Sequence, residues 1–386
     1  MGKTTRQKEE GSVRSQERLK SWVNRVLEPT GIVMDGPNPW DPQVKNQALY
    51  QRVKADGSLG LGEAYMDGWW ECEQLDEFFY RLLSTDVHKR IGLSLPVLWG
   101  VLKAKLFNLQ AVKRAFQVGE KHYDTGNDLF SAMLGKTMAY SCGYWPNAKT
   151  LDEAQEAKFD LLCRKLNLQP GKRLLDVGSG WGGLAHFAAT HYGVEVVGIT
   201  VSKEQKRFAE ELCHGLPVEF RLQDYRELNE QFDYIVSVGM FEHVGVKNYA
   251  NYFAMAKRCL ADDGLFLLHT IGSLKSKSNT DPWLEKYIFP NGMLPSLKQI
   301  TTAVEGSFVI EDVHNFGADY DTTLMSWHGN FQAAWPQLRD KYGDRFYRMW
   351  HYYLLCCAGS FRARSIQLWQ VALSPRGVVG GYKSVR

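Results

Sequence analysis

From Arg173 onward the chain alternates short apolar runs with amphipathic stretches, and this rhythm predicts strands separated by helices. The strands expected are Arg173-Leu-Leu-Asp-Val177, Val194 to Ile199, Val218 to Leu222, Phe232 to Gly239, Gly264 to Thr270, Phe308 to Val313 and Ile366 to Leu373. Before the first lies a helical pattern from Leu151 to Leu166, with Phe159, Leu162, Cys163 and Leu166 on one stripe, stopped by Pro170-Gly171. Leu184 to Tyr192 is a second helix, Ser202-x-x-Gln205 reads as a capping box opening a third, and Trp335 to Cys357 is a long fourth. Strands that alternate with helices in this way give a doubly wound sheet, whose ligands lie at the carboxyl ends of the strands.

The first third reads differently. Residues 1–15 are charged and aperiodic, a disordered tail. Helical patterns follow at Glu17 to Leu27, Val44 to Val53, Leu75 to Leu83 and Leu93 to Leu106. Glycines at 57, 60, 62 and 68 oppose one long helix through Ser58 to Glu71, where Tyr65, Trp69 and Trp70 read as the core of a small domain. Lys103, Lys105, Lys113 and Arg114 interleave with apolar residues. They suit either docking on anionic lipid or the solvated face of a packing helix. The division expected is a tail at 1–15, a mainly helical N-terminal lipid-docking domain at 16–110, a linker at 111–120 and a catalytic domain at 121–386.

Composition changes this picture little. A net charge of +3 selects no nucleic acid partner, and no Cys/His spacing suggests a metal. Seven scattered cysteines and no charged-then-apolar leader favour reduced thiols in a cytoplasmic setting. The most apolar stretch, Leu93 to Phe107, contains Pro96, Lys103 and Lys105, too interrupted to span a bilayer.

The candidate chemistry gathers at the strand ends. Gly178, Gly180 and Gly183 fit G-x-G-x-x-G after the first strand, where missing side chains allow a tight turn and close approach of backbone N–H groups to a ligand. A dinucleotide enzyme would want an acidic residue after the second strand, which instead ends in Thr200. Asp176 followed by x-Gly-x-Gly resembles motif I of S-adenosylmethionine-dependent methyltransferases. Glu242 and His243 follow the fourth strand and His269 the fifth. Glu242 and His269 are the better pair for holding a base or reacting group, His243 reading as a hydrogen-bonding residue.

The segments Leu174 to Ala185, Ser237-Val-Gly-Met-Phe-Glu-His-Val-Gly245, His269-Thr-Ile-Gly272, Tyr287 to Gly292, Asn315 to Tyr320 and Cys357-Ala-Gly-Ser-Phe-Arg-Ala-Arg364 resemble the cyclopropane-fatty-acyl-phospholipid synthases. The likeness runs over nearly the whole chain from about Ser58. Mycolic acid cyclopropane synthases resemble only the catalytic part. The resemblance implies a Rossmann-like class I methyltransferase α/β sheet of seven strands beside a smaller, mainly helical N-terminal domain. It implies methyl transfer from S-adenosyl-L-methionine to a cis double bond of a phospholipid acyl chain, with ring closure assisted by bicarbonate. Glu242, His269, Tyr320 and the backbone around Cys142 and Ile271 would hold bicarbonate, and Cys357 matches the cysteine implicated in the family. Tyr140, Ser141, Asp176, Gly178, Gly180, Gly182, Thr200, Val201, Gln205, Asp224 and Tyr225 would form the cofactor site. Ser179 stands where the family usually has Cys. The implied setting is cytoplasmic, peripheral to the inner face of a phospholipid bilayer, with a homodimer as the candidate assembly. Simple methyl branching of a lipid, methylation of a polar small molecule and a non-catalytic lipid-binding scaffold are the competing readings.

Overall fold

The computed structural model describes residues 17–85, 87, 126–277 and 279–386. The expected tail, the Leu93 to Leu106 helix, the 111–120 linker and the basic group Lys103, Lys105, Lys113 and Arg114 lie outside these. The described chain forms two compact units. The smaller takes the described residues before position 104 together with Asp281–Ile288 and Trp335–Ser365, and the larger takes the rest.

The smaller unit begins with a helix over 17–27. A two-stranded antiparallel pair follows, β1 (Gln43–Val44) with β2 (Trp70–Glu71), which the sequence pattern did not predict. The helix read at Val44 to Val53 starts later, at Leu49–Asp56, because Val44 is committed to that pair. Ser58–Met66 is helical despite its glycines, and tertiary contact explains them. A Cβ on Gly60 would lie 2.5 Å from the Arg52 carbonyl oxygen, and one on Gly62 would lie 2.4 Å from the Trp283 ring. Close helix approach offsets the roughly 1 kcal/mol helix cost of each glycine. Tyr352 sits among Trp283, Phe79 and Tyr65, with ring centroids at 4.5, 5.1 and 5.5 Å. Its helix, Asp344–Arg362, is separate from Asp319–Tyr342. The single helix expected from Trp335 to Cys357 is therefore corrected. Gly343, at φ +75°, turns the chain between two helices, and the first starts sixteen residues before the predicted point.

The larger unit is built on a seven-stranded sheet: β3 (Arg173–Val177), β4 (Glu195–Thr200), β5 (Val218–Leu222), β6 (Phe232–Val238), β7 (Leu260–Ser273), β8 (Val309–Asn315) and β9 (Ile366–Ser374). Their order is β5-β4-β3-β6-β7-β9-β8, parallel from β5 through β7, with β9 antiparallel to both neighbours. Successive residues of β3 serve opposite faces: Leu175 and Val177 pack with Ile235, Phe253 and Phe266, while Leu174 packs with Phe159, Leu162 and Ala185. A sheet covered on both sides has no polar alternation to display, which is why these strands read as continuous apolar runs. The order reverses beside β3, where β4 lies on one side and β6 on the other, and a crevice opens there at the carboxyl ends.

Candidate active site

A cavity of about 210 Å³ occupies that crevice. Its floor is the β3 turn. Gly178 and Gly180 adopt left-handed φ of +85° and +54°, and Asp176, Gly178 and Gly180 line the space. A Cβ on Gly180 would meet nothing within 4 Å, so the missing side chain leaves open cavity over exposed backbone. Gly182 does not line the cavity. It precedes the Gly183–Tyr192 helix at φ +86°, and a Cβ there would lie 2.8 Å from that of Ala209. Its neighbours Trp181 and Gly183 do line it.

After β4, Thr200, Val201 and Gln205 contribute the second wall, with Thr200 Oγ1 and Gln205 Oε1 2.8 Å apart and Ser202 capping the next helix. Asp224 and Tyr225 follow β5. Asp224 Oδ1 accepts from the Arg226 backbone N–H at 3.0 Å and from its guanidinium at 2.9 Å. Tyr140 and Ser141 close the side nearest the Leu151–Lys165 helix, which Thr150 and Glu153 open with a reciprocal capping box. His243 also lines the space, and burial pushes its pKa down to about 4, leaving it neutral.

The second cluster lies beyond the cavity lining. Glu242 sits in a single turn, Phe241–His243, directly after β6. Its Oε1 accepts the Ile271 backbone N–H of β7 at 2.7 Å, whereas its Oε2 has no partner among the described residues. Burial pushes its carboxyl up to about 7, against the pull of the Ile271 bond. His269 is 1% exposed, and burial holds its pKa well below the usual range. The β7–β9 register sets Gln370 opposite His269, and the Gln370 Nε2 donates to His269 Nδ1 at 3.2 Å. That bond places the imidazole proton on Nε2, a buried donor also without a partner among the described residues.

The start of the Asp319–Tyr342 helix carries Tyr320 and holds the backbone that follows Cys142. Asp319 accepts the Trp145 backbone N–H at 2.8 Å, and Thr323 accepts the Trp145 indole N–H at 2.9 Å and the Gly143 N–H at 3.1 Å. Phe316, just before the helix, sets its ring 5.7 Å from that of His269. Trp327 stands between Tyr140 and Tyr320, with ring centroids at 5.3 and 5.9 Å, so an aromatic row runs from the cavity lining to Tyr320. Burial pushes the Cys142 thiol well up, so it holds little thiolate. Cys357 belongs to the smaller unit and lines no part of the cavity, and burial pushes its thiol up to about 12.

Sequence reasoning overlooked Gln155, Lys158, Thr323 and Gln370. Gln155 and Lys158 are fully buried on a helix whose apolar stripe was recognised. Polar residues three apart on a buried face were the available signal.

Strand order, glycine turn and cavity together are those of the class I methyltransferase fold. The family described as "Mycolic acid cyclopropane synthetase" matches residues 110–371. The cyclopropane-fatty-acyl-phospholipid synthase of Escherichia coli strain K12 is 56% identical over 364 residues, 94% of this chain and 95% of the relative. The Mycobacterium tuberculosis cyclopropane synthase MmaA2 is 33% identical with a TM-score of 0.63, covering 67% of this chain and 97% of its own. The mycolic acid cyclopropane synthase CmaA1, solved with SAH and CTAB, is 35% identical, again with a TM-score of 0.63 and the same coverage. The chain belongs to the mycolic acid cyclopropane synthetase family.

Proposed function

We propose that the protein transfers the methyl group of S-adenosylmethionine to a cis double bond in a phospholipid acyl chain and closes a cyclopropane ring, with bicarbonate as base. The support is two buried polar atoms without partners among the described residues, the Glu242 Oε2 acceptor and the His269 Nε2–H donor, on segments that meet where Glu242 accepts the N–H of Ile271, two residues beyond His269 on β7. An unmet buried polar atom costs about 1–3 kcal/mol, so two together ask for a ligand that both donates and accepts. Bicarbonate does both: its hydroxyl suits Glu242, its anionic oxygens suit His269, and the Tyr320 hydroxyl and backbone near Cys142 offer further contacts.

The alkene π electrons attack the methyl carbon, the S–CH₃ bond breaks onto sulfur, and positive charge appears on the acyl chain. Loss of a proton from the transferred carbon frees the C–H electrons to close the ring. Bound bicarbonate supplies the base that takes this proton. Glu242 and His269 fix the position of that base, and the aromatic faces of Tyr140 and Trp327 favour a passing cation while excluding water. No helix among the described residues is long and apolar enough to cross a membrane. On this reading the acyl chain is met at a bilayer surface.

The test is lipid mass spectrometry and proton NMR after incubation with unsaturated phospholipid vesicles and S-adenosylmethionine. A gain of one CH₂ with upfield cyclopropane protons is expected, at a rate that falls in carbonate-depleted buffer. A methyl branch or an unmodified lipid would overturn the reading.

A further inference from the structure

A row of polar side chains crosses the sheet behind His269. The register sets His269 of β7 opposite Gln370 of β9, and Gln370 opposite His314 of β8, so the three share one face and stand side by side. Leu267 and Ala372, two residues away on their strands, pack with Phe159 and Leu162, so the row faces the Leu151–Lys165 helix. The last residue of that helix, Lys165, is 1% exposed, and its Nζ lies 3.0 Å from His314 Nδ1 and 4.0 Å from Asp312 Oδ2. Asp312 is held in turn by the Arg386 guanidinium at 2.6 and 2.8 Å and by the Ser384 hydroxyl at 3.0 Å. The Phe316 ring lies against both imidazoles, at 5.0 Å from His314 and 5.7 Å from His269.

An ammonium can only donate, so His314 Nδ1 accepts from Lys165 and the His314 proton sits on Nε2. Gln370 Nε2 donates to His269 Nδ1 in the same sense. Between these two bonds stands Gln370 Oε1, a buried acceptor with no partner among the described residues, and its cross-strand neighbour His314 carries the matching donor. We propose that Lys165 is a positioning residue of the base site: it orients His314 so that the His314 Nε2–H meets Gln370 Oε1, leaving Gln370 only its amino group to offer His269, and His269 only its Nε2–H to offer an anion. The inference rests on the bicarbonate reading above for what that last donor meets. Donors aligned in one direction polarise one another, so the lysine strengthens the final one. Burial, then the charges of Lys158, Lys165 and His314, hold the His269 pKa down, so the far end of the row is felt at the site. Burial and Arg386 pull the Lys165 pKa down to about 7 against Asp312, and burial takes that of His314 to about 4. Near pH 6 the row is therefore an ammonium followed by two neutral rings.

Nitrogen NMR of labelled histidines at pH 6, without cofactor or carbonate, reads both tautomers. In the parent, His314 and His269 should each carry the proton on Nε2. Lys165→Met should release both rings to mixed tautomers, and His314→Phe, which keeps an aromatic ring against Phe316, should release His269 alike. In turnover, either variant should raise the apparent KM for bicarbonate about fivefold to tenfold, the worth of a hydrogen bond, with the KM for S-adenosylmethionine unchanged. The double variant should lose no more than either single one, since both cut the same row. A proton on Nδ1 of either ring in the parent overturns the proposal, as does a His269 tautomer that neither variant moves, or additive losses in the double variant. Should Lys165→Met fail to fold, His314→Phe and the parent tautomers decide it. A parent whose turnover ignores carbonate sinks the bicarbonate reading instead, and the tautomers, measured without carbonate, still decide the row.

Discussion

Replacing Glu242 by Gln separates what this carboxyl costs the fold from what it gives the reaction. The Gln oxygen can still accept the Ile271 N–H, so the local geometry survives while the ionisable group is removed. In the folded, ligand-free chain the carboxyl ionises near 7 instead of near 4.5, because burial disfavours its charge. The folded state therefore binds more protons than the unfolded state between those values, and stability from this group falls as pH rises through that window. At about 1.4 kcal/mol per pH unit of displacement, the loss between pH 5 and pH 8 is roughly 2–3 kcal/mol. The variant lacks this titration. Relative to the parent it should gain that amount from pH 5 to pH 8, measured by urea unfolding in carbonate-free buffer without cofactor. Turnover should meanwhile fall strongly with S-adenosylmethionine affinity intact, the pattern of an interaction used in the transition state. Parallel stability curves for the two proteins would refute the assignment of a strained, ionising Glu242.

Three further outcomes follow from the geometry. Gly180→Val places a branched side chain at φ +54° pointing into open cavity, costing about 1–2 kcal/mol in stability and abolishing S-adenosylmethionine binding by calorimetry; unchanged affinity would remove the glycine turn from the site. Gln370→Leu takes away the donor that fixes the His269 tautomer, so kcat should drop while the KM for S-adenosylmethionine holds, and an unaltered kcat would free His269 from that role. Cys357→Ser should keep kcat within a few-fold, since a thiol pushed up to about 12 supplies little thiolate near neutrality; a loss of several orders of magnitude would reinstate it as a nucleophile.

The glycine turn and the strand ends were legible because their signals are local: apolar runs, glycines at fixed spacing, and a polar residue where each run stops. The Gln370–His269 bond was not, since it depends on the antiparallel register of β9 on β7, set by residues about a hundred apart. The β1–β2 pair is too short to leave a period, and Gly60 and Gly62 oppose the helix they occupy until Arg52 and Trp283 are seen against them. The break at Gly343 was hidden because apolar and aromatic residues continue on both sides of it.

The three-part origin of the smaller unit sets a timetable for synthesis. Gly62 is made about 220 residues before Trp283, and Tyr65 almost 290 before Tyr352. At translation rates of about 5–20 residues per second, the wait is roughly ten seconds to a minute. Throughout it, Tyr65, Trp70, Phe78 and Phe79 have been synthesised but the helix that completes their core has not. The nascent chain must therefore carry an aromatic face through the making of the entire nucleoside-binding half of the sheet, and the same stretch expressed alone would lack the helix that covers it.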